Sequence, residues 1–206
     1  LAEQIAGIMT ANIRVDAQRL ARMSGVIHRN IAVTGLGQID DLCQASGQPP
    51  TEAAVLHTYE QKSSYYTFIN PLACGLALAG RDDANHDIER FGKPAGVAFQ
   101  LHDDWLGIFG ASDVTGKANL DDIQEGKYTL LVQQALERLE GAERAAFQKI
   151  IGNSSATADD LRYVQDVLES SGAAAYVRTR LETCAVQAKQ AAREATAWRS
   201  GFGEQL

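Results

Sequence analysis

Apolar residues recur at three- and four-residue spacing along most of the chain, and strand-like alternation is scarce. This spacing is typical of amphipathic helices, so the sequence predicts an all-α fold. No repeat, low-complexity stretch or linker interrupts the pattern, and we expect one helical domain over residues 1–206. In chain order, the first predicted helix ends near residue 12, and the next four cover about 16–46, 51–69, 71–79 and 87–109. Another starts near residue 129, two more cover about 142–152 and 158–170, and the last runs from about 173 to before 201.

Short polar stretches predict where these helices end. "ASGQPPT" (45–51) is a break, and Thr51 suits the N-cap of the helix that follows. The pair Asn70–Pro71 is expected to break or kink that helix, because proline fits the first helical turn better than the interior. "LAGRDD" (78–83) ends the continuation, and segment 110–127 is predicted to be a loop.

Composition and charge narrow the classes of function. Hydrophobic residues make up 45% and charged residues 22%, which is ordinary for a globular protein. A net charge of −7 argues against a nucleic-acid partner, since such surfaces are usually basic. The longest apolar run, 71–79, is too short for an integral membrane segment. Three cysteines without a Cys-x-x-Cys pair support neither a disulfide framework nor a zinc site, and they indicate a reduced, cytoplasmic setting.

Two adjacent carboxylates, Asp103 and Asp104, stand in the apolar stretch "FQLHDDWLGIFG" (99–110). Gln100, Asp103, Asp104 and Gly107 follow i, i+3, i+4, i+7 spacing, which predicts that they share one helical face and that both carboxylates point into one space. Such a pair suits Mg²⁺, which takes few protein carboxylates and completes its shell with water and phosphate oxygens. The opposite face is predicted to pack through Leu101, Trp105 and Ile108.

A second interpretation of the carboxylate pair is a solvated face near a helix C-terminus. That placement is electrostatically poor, because a helix C-terminus disfavours anions. The helix alone leaves both interpretations open. The loop that follows carries Lys117 and Lys127, each directly after a glycine, and this pattern can bring a backbone and a point charge close to a phosphate. A solvated turn explains the loop equally well.

Another cluster precedes this helix. In "TYEQKSSYYTF" (58–68), Tyr59, Lys62, Ser63 and Tyr66 share a predicted face that could hold an anion beside an apolar chain. A surface lysine beside a packed aromatic stripe is the alternative, and the segment alone favours it. The two glycines of "GLGQIDDL" (35–42) lie within the predicted long helix, where mid-helix glycines usually mean close packing.

These stretches, in this order, resemble the C-terminal half of a trans-isoprenyl diphosphate synthase of the polyprenyl synthetase family. No single motif is decisive, but their shared order makes chance a poor explanation. The resemblance covers about the middle two-thirds of the chain, and beyond residue 129 only the helical pattern carries it. The matching motifs are "GQIDDL" (37–42), "KS" (62–63), "LALAG" (76–80), "FG" and the following Gly (91–96), "FQLHDDWLG" (99–107), "TGK" (115–117) and "DDIQEGK" (121–127).

The resemblance implies an isoprenoid-synthase-like helical bundle around a central cavity, with two Asp-rich motifs that hold Mg²⁺ on an allylic diphosphate. Ionisation of that substrate, attack by isopentenyl diphosphate and proton loss lengthen the chain by five carbons. A homodimer is also implied. Carried over by position, the metal ligands are Asp103 and Asp104, the diphosphate-binding residues are Lys62, Lys117 and Lys127, the residues near the carbocation are Ser63 and Gln100, and the cavity-wall residues are Gln38 and Asp41.

Two departures from the family pattern stand out. Gly107 occupies the last position of the usual Asp-Asp-x-x-Asp motif, and Ser63 stands where threonine is usual. In addition, no paired Asp or Asp-x-x-Asp occurs between Leu1 and Asn30, and the chain starts without Met in helical-looking sequence. We therefore expect the N-terminal helices with the first Asp-rich motif to be missing from this chain, and the isolated chain to be inactive.

Two other hypotheses fit parts of the sequence. A helical metal-dependent phosphohydrolase would use His57, the pair His102–Asp103, and Asp121 or Asp122, but it leaves both Lys62 and Lys117 without a role. A non-catalytic subunit or inactive fragment of a synthase would explain the absent first motif. Such a fragment should expose an apolar face and associate with a partner.

Overall fold

The computed structural model describes residues 16–45, 49–81, 85–110 and 120–195. Within these ranges all regular elements are helical, which confirms the predicted all-α class. In chain order they are α1 (Ala17–Ala45), α2 (Glu52–Tyr59), a π-helix π1 (Glu60–Ile69), α3 (Asn70–Ala79), α4 (Asn85–Phe109), α5 (Asp121–Gln124), α6 (Leu130–Arg138), α7 (Gly141–Ile150), α8 (Ala158–Ser170) and α9 (Ala173–Glu194).

Local sequence explains most of these boundaries. The side chain of Thr51 accepts a hydrogen bond from the backbone N–H of Ala54, so the predicted N-cap is confirmed. Thr129 caps α6 in the same way, and Thr157 forms a reciprocal capping box with Asp160 at the start of α8. The first predicted helix, which ends near residue 12, lies outside the described residues.

The long segment from α2 to α3 differs from the prediction in one respect. The chain does not break at Asn70–Pro71. Instead it stays helical, and the backbone hydrogen bonds change there from the π to the α pattern. The N–H of Asn70 still donates to the carbonyl of Tyr65, five residues earlier. Pro71 lies in the first turn of α3, the part of a helix where proline is most common. Gly80, in the left-handed conformation with φ 73°, ends α3.

Glycines let π1 approach a helix on each side. A Cβ atom added to Gly37 of α1 would lie 2.8 Å from the backbone nitrogen of Lys62. One added to Gly96 of α4 would collide with the backbone of Ser64. The close-packing prediction is therefore confirmed for Gly37. It is wrong for Gly35, whose Cβ position has no atom within 4 Å.

The helix α4 is central to the fold, since it packs against π1 and against α9. Its predicted packing residues Leu101 and Ile108 are fully buried, and Trp105 is partly buried against the same core. Other buried members of this core are Val55, Tyr59, Leu130, Leu131, Leu136, Phe147, Val164, Leu168 and Val177.

None of the described helices is long and apolar enough to cross a membrane.

Several large apolar side chains nevertheless remain at the surface. Four lie on α1, and two others, Tyr66 and Phe99, lie on the helices that carry the predicted site residues. Such exposure is what the fragment hypothesis predicts. The four on α1 are Ile31, Leu36, Ile39 and Leu42.

Candidate active site

A buried hydrogen-bond network surrounds Asp104. The side chain of this residue is 1% exposed. Its Oδ1 accepts hydrogen bonds from Gln100 Nε2 and Lys127 Nζ, each at 2.9 Å, and its Oδ2 accepts one from the Tyr59 hydroxyl. A buried carboxylate is costly unless it is paired and hydrogen-bonded, and these three donors meet that requirement.

The network continues to π1 through Ser63. Its hydroxyl donates to Gln100 Oε1 at 2.6 Å, and both side chains are buried. This contact fixes the amide of Gln100, because the oxygen faces Ser63 and the nitrogen faces Asp104. The two residues predicted to act near a carbocation are therefore held together by π1 and α4.

Tyr59 is the residue of this network whose role the sequence did not reveal. Its hydroxyl donates to Asp104 and accepts a hydrogen bond from the backbone N–H of Leu130 at 2.9 Å. Burial and then the nearby Asp104 charge raise the pKa of Tyr59 well above its usual range, so the phenol stays protonated. The only sequence signal was indirect: a carboxylate in an apolar helix needs buried donors, and Tyr59 shares a face with Ser63.

Lys127 reaches Asp104 from the chain just after α5. This short helix lies in a segment predicted to be loop, and that prediction is wrong for residues 121–124. The ammonium of Lys127 also lies 3.6 Å from Asp122 Oδ1. Burial lowers the pKa of Lys127, but the Asp104 and Asp122 charges outweigh burial and the pKa is raised. Lys127 is therefore a fixed positive charge beside the predicted metal-binding helix.

The two adjacent carboxylates do not point into one space, which corrects the prediction from their spacing. Asp104 faces the interior, whereas Asp103 is exposed and has no hydrogen-bonding or ion-pair partner among the described residues. Successive residues on a helix point about 100° apart, so the packing of α4 buries one and leaves the other at the surface.

Gly107 faces another carboxylate. A Cβ atom added to Gly107 would collide with Oδ2 of Asp122 and would lie 3.2 Å from its Cγ. Burial raises the pKa of Asp122; Lys127 lowers it, while Asp104 and Asp103 raise it further. The short helix α5 thus places an acid against α4 at the position where the family motif has its last Asp.

Lys62 lies on π1 beside α1. Its ammonium forms an ion pair with Asp41 Oδ2 at 2.6 Å, and both side chains are partly exposed. Asp41 was predicted to shape the cavity wall, and the structure pairs it with a predicted diphosphate-binding residue. Gln38, the other predicted wall residue, is exposed on α1. Lys117 lies outside the described residues.

The phosphohydrolase set is not assembled. His57 and His102 are exposed, and within the described ranges no group of three or more His, Cys, Asp or Glu side chains is arranged to hold a metal ion. His57 instead lines a separate groove of about 800 Å³ between α2, α4 and α9. Among the described residues, none of those predicted to bind diphosphate or metal lines that groove.

The surroundings of the Asp103 and Asp104 carboxylates show how well the site fits the Mg²⁺ that the family resemblance implies. Mg²⁺ commonly binds through one or two carboxylates and completes its shell with substrate phosphates and water. The exposed Asp103 fits this role. Asp104 fits it poorly, because three protein donors already engage its two oxygens.

Comparison with known proteins identifies the family. The sequence model described as polyprenyl synthetase matches residues 3–168. The chain belongs to the polyprenyl synthetase family. This membership confirms the resemblance drawn from the ordered motifs.

Two individual proteins that are similar to this chain are diphosphate synthases. The geranylgeranyl diphosphate synthase of Saccharolobus solfataricus is 25% identical over 154 residues, which are 75% of this chain and 46% of that protein. The geranylfarnesyl diphosphate synthase of Aeropyrum pernix is 39% identical over 110 residues, 52% of this chain and 32% of that protein.

A solved structure shows the same likeness. Geranylgeranyl pyrophosphate synthase from Corynebacterium glutamicum, complexed with isoprenyl diphosphate and magnesium, superposes with a TM-score of 0.81 and 27% identity. The match covers 86% of this chain and 50% of that one. The chain spans half or less of the length of each of these polyprenyl synthetase relatives.

Proposed function

We propose that this chain supplies the part of a prenyl diphosphate synthase that receives the diphosphate of an allylic substrate and releases it as pyrophosphate. The full reaction condenses that substrate with isopentenyl diphosphate. The observation that carries the proposal is the Lys127–Asp104–Gln100–Ser63 network in a chain of the polyprenyl synthetase family. In this network Lys127 is a fixed cation, and Asp103 on the same helix as Asp104 is an exposed carboxylate. A leaving diphosphate requires the first, and its counter-ion requires the second.

The individual residues have distinct roles in this proposal. Asp103 binds Mg²⁺, which when bound would neutralise charge on the departing diphosphate. Asp104 anchors Lys127, and Lys62, Lys117 and Lys127 bind phosphate oxygens. The remaining residues line the substrate space: Ser63 and Gln100 near the allylic carbon, and Gln38 and Asp41 on the wall.

The proposal also covers assembly and location. The family resemblance supports a homodimer. The odd number of cysteines, without a Cys-x-x-Cys pair, supports a cytoplasmic location. The comparisons do not favour a phosphohydrolase or a non-catalytic subunit, and they give no support to the prediction that the isolated chain is inactive.

The direct test is prenyl transfer by the chain. The purified protein is incubated with an allylic diphosphate, labelled isopentenyl diphosphate and MgCl₂, and the extractable labelled product is measured. Asp103→Ala should lower turnover by about 100-fold or more, because removing a group that stabilises transition-state charge costs about 10²–10³-fold. Asp121→Ala, which removes an exposed carboxylate from α5, is the matched control and should change turnover less than about threefold.

Two results would contradict the proposal. Near-normal turnover by the Asp103→Ala variant would remove Asp103 from the metal site. If the unchanged chain forms no product and also fails to bind inorganic pyrophosphate with Mg²⁺, the proposed diphosphate site is refuted for this chain. Pyrophosphate binding without product would support the site and confirm that the isolated chain is inactive.

A further inference from the structure

The helix α4 lacks the last carboxylate of its motif, yet a carboxylate occupies that place. Gly107 comes four residues after Asp103 and three after Asp104. Residues at these spacings are surface neighbours on a helix, with Cβ atoms about 5–6 Å apart. Because Gly107 has no side chain, Asp122 of α5 can bring its Oδ2 into the space where a Cβ atom would lie.

We infer that Asp122 is the second carboxylate of the metal site and that Gly107 is the space that admits it. The chain thus supplies from α5 the group that the family motif places on α4. This inference rests on the proposed function, since it assumes that a divalent cation binds beside Asp103.

The hydrogen bonds around the site separate Asp122 from Asp104. Three donors engage both oxygens of Asp104. Among the described residues, the only charged partner of Asp122 is Lys127, whose Nζ lies 3.6 Å from Oδ1. Oδ2, the oxygen that faces Gly107, accepts no hydrogen bond from a described residue. Asp103 and Asp122 therefore retain oxygens for a cation, and Asp104 does not.

A simpler role for Asp122 would be to neutralise Lys127. The distances argue against this as its main role, because Lys127 is closer to Asp104, at 2.9 Å, than to Asp122. Neutralisation also gives no reason for the contact with Gly107. Two carboxylates, with water and phosphate completing the shell, match the usual protein contribution to a Mg²⁺ site.

The test measures binding of Mn²⁺, a spectroscopic substitute for Mg²⁺, by electron paramagnetic resonance of the free ion, with and without inorganic pyrophosphate. Asp122→Asn should raise the Mn²⁺ dissociation constant by about tenfold or more, the range seen when groups that support a metal site are removed. Asp121→Asn makes the same charge change one residue away on α5 and should raise it less than about twofold.

Two variants at position 107 test the space itself. Gly107→Ala keeps every charge but displaces the Asp122 carboxylate, and should also weaken Mn²⁺ binding about fivefold or more. The double variant Gly107→Asp/Asp122→Ala moves the carboxylate back to α4. It should bind Mn²⁺ within about threefold of the unchanged chain, and thus more tightly than Asp122→Asn. Circular dichroism confirms that each variant is folded.

The outcomes separate this inference from the proposed function. Equal effects of Asp121→Asn and Asp122→Asn would reduce Asp122 to a contributor of net charge and overturn the inference. Weaker Mn²⁺ binding by Asp103→Asn with no change in Asp122→Asn would overturn the inference and leave the metal site intact. No effect from either, or no Mn²⁺ uptake by the unchanged chain, would overturn both.

Discussion

Replacing Tyr59 with Phe removes one hydroxyl from the core and keeps the ring. Two groups would lose their partner: the backbone N–H of Leu130, which lies in a fully buried residue, and Oδ2 of Asp104. An unsatisfied buried polar group costs about 1–3 kcal/mol, and more when it is charged. We therefore expect Tyr59→Phe to lower the free energy of unfolding by about 3–5 kcal/mol, a large part of the roughly 5–15 kcal/mol typical of a domain.

The assay is equilibrium unfolding in urea, followed by circular dichroism at 222 nm. The midpoint should fall while the denaturant slope stays the same, because the folded and unfolded surfaces hardly change. Tyr176→Phe is the matched control. The Tyr176 hydroxyl donates to Glu52 at 2.8 Å in a partly exposed position, so its loss should cost less than about 1.5 kcal/mol.

A result within about 0.5 kcal/mol of the unchanged protein would refute this reasoning, since that is the usual range for substitutions at featureless surface positions. It would mean that water or a rotated carboxylate satisfies Asp104 without Tyr59. An equal loss from Tyr59→Phe and Tyr176→Phe would also contradict the assigned role, because it would show that burial of the network adds nothing.

Two further predictions concern packing and pH. Gly96→Ala should lower the free energy of unfolding by about 2 kcal/mol or more, because the new methyl collides with the backbone of Ser64. Gly35 has open space around it, so Gly35→Ala should raise the free energy of unfolding by about 0.5–1 kcal/mol through helix propensity. Urea unfolding of both variants tests this contrast, and a stable Gly96→Ala protein would contradict the described contact. The raised pKa of Asp122 means that the folded chain holds this proton more tightly than the unfolded chain, so its contribution to stability falls as pH rises from about 4 through the folded-state pKa. Asp122→Asn should therefore be more stable, relative to the unchanged protein, at pH 7 than at pH 4, and a difference that is independent of pH in paired urea titrations would contradict this.

Helix extents followed closely from the sequence. Spacing and capping residues predicted the helix of residues 16–46, which the structure has as Ala17–Ala45, and the N-cap at Thr51. The π pattern of Glu60–Ile69 was not predicted, because π-helices are rare and occur mostly as short bulges inside longer α-helices. The four residues of α5 were also missed, since so short a helix has no periodicity to detect.

The candidate site, like the fold, could be predicted only in part from the sequence. Residue types and motif order identified Lys62, Ser63 and Gln100, together with the carboxylate pair on α4. Which member of that pair is buried depends on the packing of α4 against π1, and spacing within one helix carries no such information. The contact of Asp122 with Gly107 joins residues 15 positions apart in the sequence, so neither residue alone indicates it.

The π-helix has a consequence for insertions and deletions. Its two ends are tied to different neighbours: Tyr59, just before it, to Asp104, and Asn70, just after it, to Asn30 at 3.3 Å. A π-turn holds more residues than an α-turn, so removing one residue between these ends would let the segment become α-helical and would turn one end relative to the other less than a deletion from a regular α-helix does. π1 should therefore tolerate the loss of one residue better than a regular α-helix tied to the same two contacts would.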